Sequence, residues 1–482
     1  MELPPSAAGL PALAAHSLPS TVLDAVRQGR AGTAASSAYL YDPAVAAGNA
    51  AALRECLPDW AEICYAIKAN GFPPVLDALL AGPRRAEPAT SGQPGLGIHG
   101  FEVSSTSEVR HALAAFDRAA AERAAVDRVG SRRPGVASSR RRLVSSGPAK
   151  SAALLTALAE LPDAAQHVDA VINVESAGEL RRLEDLAARL GRRVTVALRV
   201  NPRQVHLTGS LRMGGRPSAF GIPEPEVPAV LELAGRLPHL DVAGFHVHAV
   251  AANLDALAHL DYVRWCLDFA IRTARTARME LRVVDVGGGF GVPFEPDRRD
   301  ERPFALARFG EGLDRLRIPA DVRVIFEPGR LLVADCGWYT AEVIDVKHSY
   351  GTDFVVLRGG IHHFALPISW EIVHNFAVVR RGGTAAAPVP SAPRAVTVVG
   401  ELCTPEDTLA RDITVDSVRP GDVVVFPMAG AYGYEFALTE FLGHARPRRV
   451  VLALAPADET SGDDPGGDTA IRAPGSRPAA PE

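Results

Sequence analysis

The chain has three lysines, Lys68, Lys150 and Lys347, so any amine chemistry has three candidates. Lys68 closes the apolar run CYAIKAN, where a strand end would point it into partial burial. Desolvation lowers an amine's pKa and makes it nucleophilic toward carbonyls. The plainer alternative is a lysine that snorkels at a strand end. In VVDVGGGFG, Gly287, Gly288 and Gly289 follow a strand directly, so their N–H groups are unobstructed and able to cradle an anion. A tight turn would use the same residues, and the spacing is not that of a dinucleotide loop. FEPGR sets Glu327 beside Arg330, which can bind phosphate with two parallel hydrogen bonds or simply join a surface ion pair.

GFHVHAV carries His246 and His248 two residues apart, hence on one face of a strand. A metal needs more ligands and no third is evident, so no metal is expected and His246 reads better as a ring stacked on a planar cofactor. GELCTPEDTLARD puts Cys403, Thr404 and Asp407 in one turn. AGAYGYEF puts Tyr432 in a glycine-flanked turn, and ordinary turn chemistry accounts for either.

Positioning such groups requires a frame. Between about Ser36 and Arg315, short β-branched runs alternate with Ala/Leu-rich stretches, the pattern of repeated βα units. Eight candidate strands follow, at 64–69, 100–105, 141–146, 170–176, 195–201, 242–250, 281–288 and 322–329. That count predicts a (β/α)8 barrel, in which the polar clusters above fall at the C-terminal strand ends and converge on one mouth. After Arg330 the texture turns to long β-rich runs, so a second, mostly antiparallel β domain is expected. The expected organisation is a poorly ordered segment over 1–35, the barrel over 36–330 with its first strand joining the β domain, the β domain over 331–457, and a disordered tail over 458–482. Segments 83–97 and 128–142, rich in Arg, Pro, Gly and Ser, read as loops.

With 47% hydrophobic and 22% charged residues, the 482-residue chain has the composition of a packed globular enzyme. Its net charge of -5 offers no general attraction to nucleic acid or anionic lipid. No run approaches the roughly 18 apolar residues of a membrane span. Five scattered cysteines lack paired spacing, and the first twenty residues lack a basic start, so reduced thiols in a cytoplasm are expected.

Taken in order, YAIKAN, GFEVSS, NVES, LRVNP, FGI, GFHVHA, DVGGGFG, EPGR, CTPED and AGAYG resemble the fold-type III pyridoxal-phosphate decarboxylases, which include the diaminopimelate, ornithine and arginine enzymes. The resemblance runs from about Tyr39 to Pro447. It implies an alanine-racemase-like barrel with pyridoxal 5'-phosphate held as a Schiff base on Lys68. It further implies that Gly287, Gly288, Gly289, Arg330 and Tyr432 hold the phosphate, that Glu327 pairs with the pyridine nitrogen, and that His246 stacks on the ring. Cys403 resembles the family cysteine that acts across a dimer interface as a proton donor, which implies a homodimer with shared active sites.

Where the family motif offers an acidic residue for the distal amine of a diamino acid, this chain has Thr404. The stretches MGGRPSAFGI, LRGGIHHFALPISW and GELCTPEDTLARD resemble a subgroup of siderophore and other specialised-metabolite pathways whose amino acid is already conjugated, with citrate-linked diaminopropionate and carrier-bound glutamate as precedents. In that subgroup His362, His363 and Trp370 would line the substrate side, and Thr404 and Asp407 are further substrate-binding candidates. Removal of the α-carboxylate from such a conjugate is the expected reaction. The alternatives are diaminopimelate decarboxylation in lysine biosynthesis, an amino-acid racemase, which Glu327 argues against, and a regulator that binds the cofactor without turning over.

Overall fold

The computed structural model describes residues 4–33, 36–83, 97–128, 140–165, 167–205, 207, 211–212, 214–294, 301–381 and 392–452. Most of the two Arg-rich segments and all of the expected tail lie outside the described residues.

After β1 (Ala38–Tyr41), the chain lays down β2 (Ala61–Ala66), β3 (Gly100–Val103), β4 (Arg141–Ser145), β5 (Val168–Val174) and β6 (Val194–Asn201). Two short strands, β7 (Leu211–Arg212) and β8 (Ile222–Pro223), precede β9 (Leu240–His246); β10 (Val250–Ala251), β11 (Val283–Asp285) and β12 (Arg323–Phe326) complete this half. Strands β2, β3, β4, β5, β6, β9, β11 and β12 pair in that order, all in parallel, and β12 returns to β2, so the sheet closes into the eight-stranded barrel. Period-two alternation explains its stability. Ile63 and Tyr65 face the helical layer, while Cys64 joins Val144, Ala243, Val283 and Ile325 in a small separate cluster.

Helices cover the outside because they turn apolar residues toward the barrel, and several begin at a side-chain cap. The helix Ala177–Leu190 is capped by Ser176, whose hydroxyl accepts from the Glu179 N–H, and buries Leu180, Leu183 and Ala187. Gly191 ends it in the left-handed conformation that glycine adopts without cost.

A second sheet follows the barrel: β13 (Gly337–Ser349), β14 (Thr352–Leu357), β15 (Ala377–Val379), β16 (Arg394–Val399), β17 (Thr408–Val415), β18 (Val423–Phe426) and β19 (Arg448–Val451). Its pairings are mostly antiparallel, with β14–β16 and β1–β19 the parallel ones. Strand β1 lies between β13 and β19 in this sheet, away from the barrel strands that follow it in the chain. Residues 4–33, expected to be poorly ordered, include the helix Ser20–Arg27, whose Val22, Ala25 and Val26 are buried together with Leu40, Trp338 and Val425. The i, i+3, i+4 spacing of those three residues makes the apolar face. No helix among the described residues is long and apolar enough to cross a membrane.

A cavity of about 560 Å³ opens at the N-terminal ends of the barrel strands, lined by Arg142, Asp169, Arg282 and Arg323. The chemistry-bearing residues stand at the opposite, C-terminal ends, where a parallel barrel gathers its loops.

Candidate active site at the barrel mouth

Lys68 sits one turn beyond β2, in the 3-10 turn Ile67–Ala69, two residues past the strand end itself. Its Nζ donates to Glu102 Oε2 at 2.7 Å. Glu102 is fully buried on β3 and its Oε1 accepts from Ser104 Oγ at 3.2 Å. The Lys68 side chain is 44% exposed into the mouth. Burial alone would lower its pKa, but Glu102 foremost, then Glu327 and Tyr432, hold it above the ordinary value. The expectation of a depressed amine pKa is thereby corrected: the neighbouring strand β3 brings in a carboxylate that a reading of CYAIKAN alone does not contain. Of the other lysines, Lys150 is buried and spent on Glu179 at 3.0 Å and on two backbone carbonyls, and Lys347 is exposed on β13.

Glu327 follows β12 and is buried. His246 Nε2 at 3.6 Å and His248 Nδ1 at 3.5 Å both approach its Oε2, so the third group that the sequence did not reveal beside the two histidines is Glu327. Burial would raise this carboxyl, yet the two histidines hold it well below the ordinary range. Neighbouring Asp285 is pushed well up by burial and by the Glu327 charge, so the pair keeps its negative charge on Glu327. Asp285 is itself fixed by Asn173 Nδ2 at 3.0 Å and by the Gly287 N–H at 2.9 Å. Burial draws His246 down to about 4, leaving a neutral ring at ordinary pH.

The glycine triplet packs where side chains do not fit. A Cβ on Gly287 would lie 2.5 Å from the His248 ring, one on Gly288 2.2 Å from the Glu327 carbonyl oxygen, and one on Gly289 2.6 Å from that of Val250. Gly288 donates its N–H to His248 Nδ1 at 3.2 Å. Arg330 is buried, and its guanidinium lies over Trp370 at 4.5 Å, Tyr432 at 5.3 Å and Phe294 at 5.4 Å. No carboxylate pairs with it among the described residues. Tyr432 adopts a left-handed φ of 66°, and its N–H donates to the Ala69 carbonyl at 2.7 Å, tying the β domain to the Lys68 turn. Lys68, His246, the glycines, Glu327, Arg330 and Tyr432 therefore meet at one mouth.

The remaining predicted residues lie elsewhere. Cys403 is exposed on the loop joining β16 to β17. Thr404 Oγ1 donates to Glu406 Oε2 on the same loop. Asp407 accepts from the Ile361 and Leu402 N–H groups, both at 2.7 Å, so its carboxylate pins two backbone segments together and is not open to a substrate. His363 is likewise consumed: Nδ1 bonds with Ser37 Oγ at 2.8 Å and Nε2 with the Ala445 carbonyl at 2.7 Å. His362 is buried beside it. Glu102, Asp285 and Asn173 escaped the sequence reading. The available signal was a charged or amide residue inside the apolar strands GFEV, VVDV and AVINV.

The sequence of residues 47–334 matches the family model described as "Pyridoxal-dependent decarboxylase, pyridoxal binding domain". The chain belongs to the pyridoxal-dependent decarboxylases. Among relatives of this family it is 32% identical to the 2-[(L-alanin-3-ylcarbamoyl)methyl]-2-hydroxybutanedioate decarboxylase of Staphylococcus aureus over 426 residues, covering 87% of this chain and 95% of that protein. It is 30% identical to the L-glutamyl-[BtrI acyl-carrier protein] decarboxylase of Niallia circulans, covering 64% of this chain and 72% of that one. The crystal structure of diaminopimelate decarboxylase from Helicobacter pylori complexed with L-lysine shares the fold, with a TM-score of 0.67 at 24% identity over 86% of this chain and 91% of that one. The chain is thus a pyridoxal-phosphate-dependent carboxy-lyase.

The mouth fits that cofactor on its own evidence. Glu327 Oε1 and both ring nitrogens of His246 are buried with no hydrogen-bond partner. Buried polar atoms are seldom left so unless a ligand or water completes them. An acceptor beside a flat neutral ring, a side-chain-free turn and a guanidinium with no carboxylate partner among the described residues are the groups that a pyridinium and a phosphate require.

Proposed function

We propose that this decarboxylase removes the α-carboxylate of an amino acid already conjugated through its side chain to a citrate-like hydroxy-tricarboxylate, in siderophore or related specialised metabolism. The observation that carries the reading is the similarity to the Staphylococcus aureus enzyme across 95% of that protein, which takes in the β domain as well as the barrel. Thr404 supports it: a hydroxyl stands where diamino-acid enzymes of the family offer a carboxylate to a distal amine, and a conjugated side chain carries no such amine.

In this reading Lys68 would supply the amine that holds the cofactor, and Glu102 positions that amine in the mouth through their ion pair. Arg330, the Gly287–Gly289 turn and Tyr432 bind the phosphate end. Glu327 would present Oε1 to the pyridine nitrogen, with His246 and His248 close to its other oxygen, and His246 would lie against the ring. Bound pyridoxal phosphate supplies the electron sink that loss of a carboxylate demands. Cys403 serves as proton donor in the active site of a second copy, so the working form is a homodimer with shared sites, acting in the cytoplasm on a small molecule.

The test is carbon dioxide release by the cofactor-loaded protein from citryl-diaminopropionate, meso-diaminopimelate, lysine, ornithine and arginine, assayed side by side. Preference for the citryl conjugate is expected. Preference for diaminopimelate would return the chain to lysine biosynthesis and overturn the conjugate reading, as would preference for any other free amino acid.

A further inference from the structure

We infer that His362, Glu401 and His444 form a binding site for a zinc-class divalent cation in the β domain, separate from the barrel mouth. One ligand atom from each lies within 4.8 Å of the other two. His362 Nε2 is 3.7 Å from Glu401 Oε1, and the His362 and His444 rings are 4.9 Å apart between centroids.

The decisive group is His362. It is fully buried, and neither ring nitrogen has a hydrogen-bond partner. An imidazole removed from water without compensation costs on the order of 1–3 kcal/mol. Its neighbour His363 shows the ordinary solution, with both nitrogens bonded to Ser37 and Ala445. His362 instead turns Nε2 toward a carboxylate at a distance too long for a good hydrogen bond, which suits two ligands on one ion better than two partners of each other.

Glu401 is oriented for the same task. Arg358 Nη1 holds its Oε2 at 2.5 Å, which leaves Oε1 for His362. Ligating carboxylates are commonly steadied by a second hydrogen bond of this kind. His444 is at least partly exposed and gives the ion a path from solvent. Two imidazoles and one carboxylate are the donor set of a three-ligand zinc site with an open fourth position, and they are too nitrogen-rich for magnesium or calcium. Glu401 lies two residues before Cys403, and Asp407 already fastens the far end of that loop to Ile361 and Leu402. The cation would fasten its near end to the 444 segment.

Equilibrium dialysis of untagged, cofactor-loaded protein against zinc chloride, read by elemental analysis, tests this. One zinc per chain is expected, with His444→Ala and Glu401→Gln each weakening it by at least about tenfold and His248→Ala leaving it unchanged. Because His444 is at least partly exposed, its alanine variant keeps the test usable even if Glu401→Gln folds poorly. Absence of bound zinc, retention undiminished in His444→Ala, or loss in His248→Ala would each overturn the proposal.

Discussion

Lys68 Nζ lies 2.7 Å from Glu102 Oε2, the amine open to the barrel mouth and the carboxylate wholly buried behind it. A charge pair divided this way is held from one side only. Glu102 has no water to turn to, whereas Lys68 is free to swing toward a ligand. The carboxylate therefore keeps the amine protonated, and the amine becomes nucleophilic only once it has swung away from that partner and lost its proton.

Glu102→Gln should lower the Lys68 pKa, because the group chiefly responsible for raising it is gone. A larger neutral fraction at any given pH should then move the pH profile of cofactor uptake by the apo-protein to lower pH. Stopped-flow absorbance of the bound cofactor, recorded from pH 6 to about pH 9, measures this. An unmoved profile would mean that Glu102 has no part in the proton balance.

Lys68→Ala should lose the visible absorbance of the bound cofactor and its turnover, while Cys403→Ala should keep the absorbance and lose about 10²–10⁴ in turnover. Mixing the two inactive proteins under exchange conditions should restore up to about a quarter of wild-type activity, since half the dimers are mixed and each has one intact site. Mixtures as inactive as their components would dismiss the shared site.

Thr404→Glu should cut kcat/KM for the citryl conjugate, by about tenfold or more, through like-charge repulsion of its carboxylates. Any new turnover should appear on diaminopimelate or lysine, whose distal amine the new carboxylate would meet. Equal activity of the variant and the parent on the conjugate would show that position 404 does not face the substrate tail.

His259 is stacked on Phe290 at 4.5 Å and edged by Phe304 and Phe309, and burial pushes it down to about 3. The unfolded chain accepts a proton near pH 6.5 that the folded chain refuses, so stability falls as pH drops from about 6.5 toward 3. His246 and His374, each drawn down to about 4, act in the same direction. His259→Phe should shrink the fall in Tm between pH 7 and pH 5 by on the order of 1–2 °C. Parallel Tm curves for the two proteins would contradict this.

The barrel was legible because period-two runs and their helical spacers repeat eight times, and each predicted strand has its counterpart. Lys68, His246, Glu327 and Arg330 were legible because each stands where an apolar run ends. Glu102 and Asp285 were not, since one carboxylate inside a strand gives no sign of which strand will close beside it. Asp407 and His363 misled for the opposite reason. Their chemistry is real, but backbone N–H groups, a serine and a carbonyl use it up, and those partnerships exist only once segments far apart in the chain are packed. The helix Ser20–Arg27 hid behind the prolines around it.

Strand β1 has its partners about 300 and 410 residues further along, at Thr340 and Arg448. Loop closure over such spans is slow, so a chain emerging from the ribosome can complete its barrel while Ala38–Tyr41 still waits, an unpaired apolar ribbon. Only when Arg448–Val451 has been made can the slot between β13 and β19 shut around it. The Tyr432 tie to Ala69 likewise waits for the second half of the chain, so the barrel strands can close before the mouth has all of its groups.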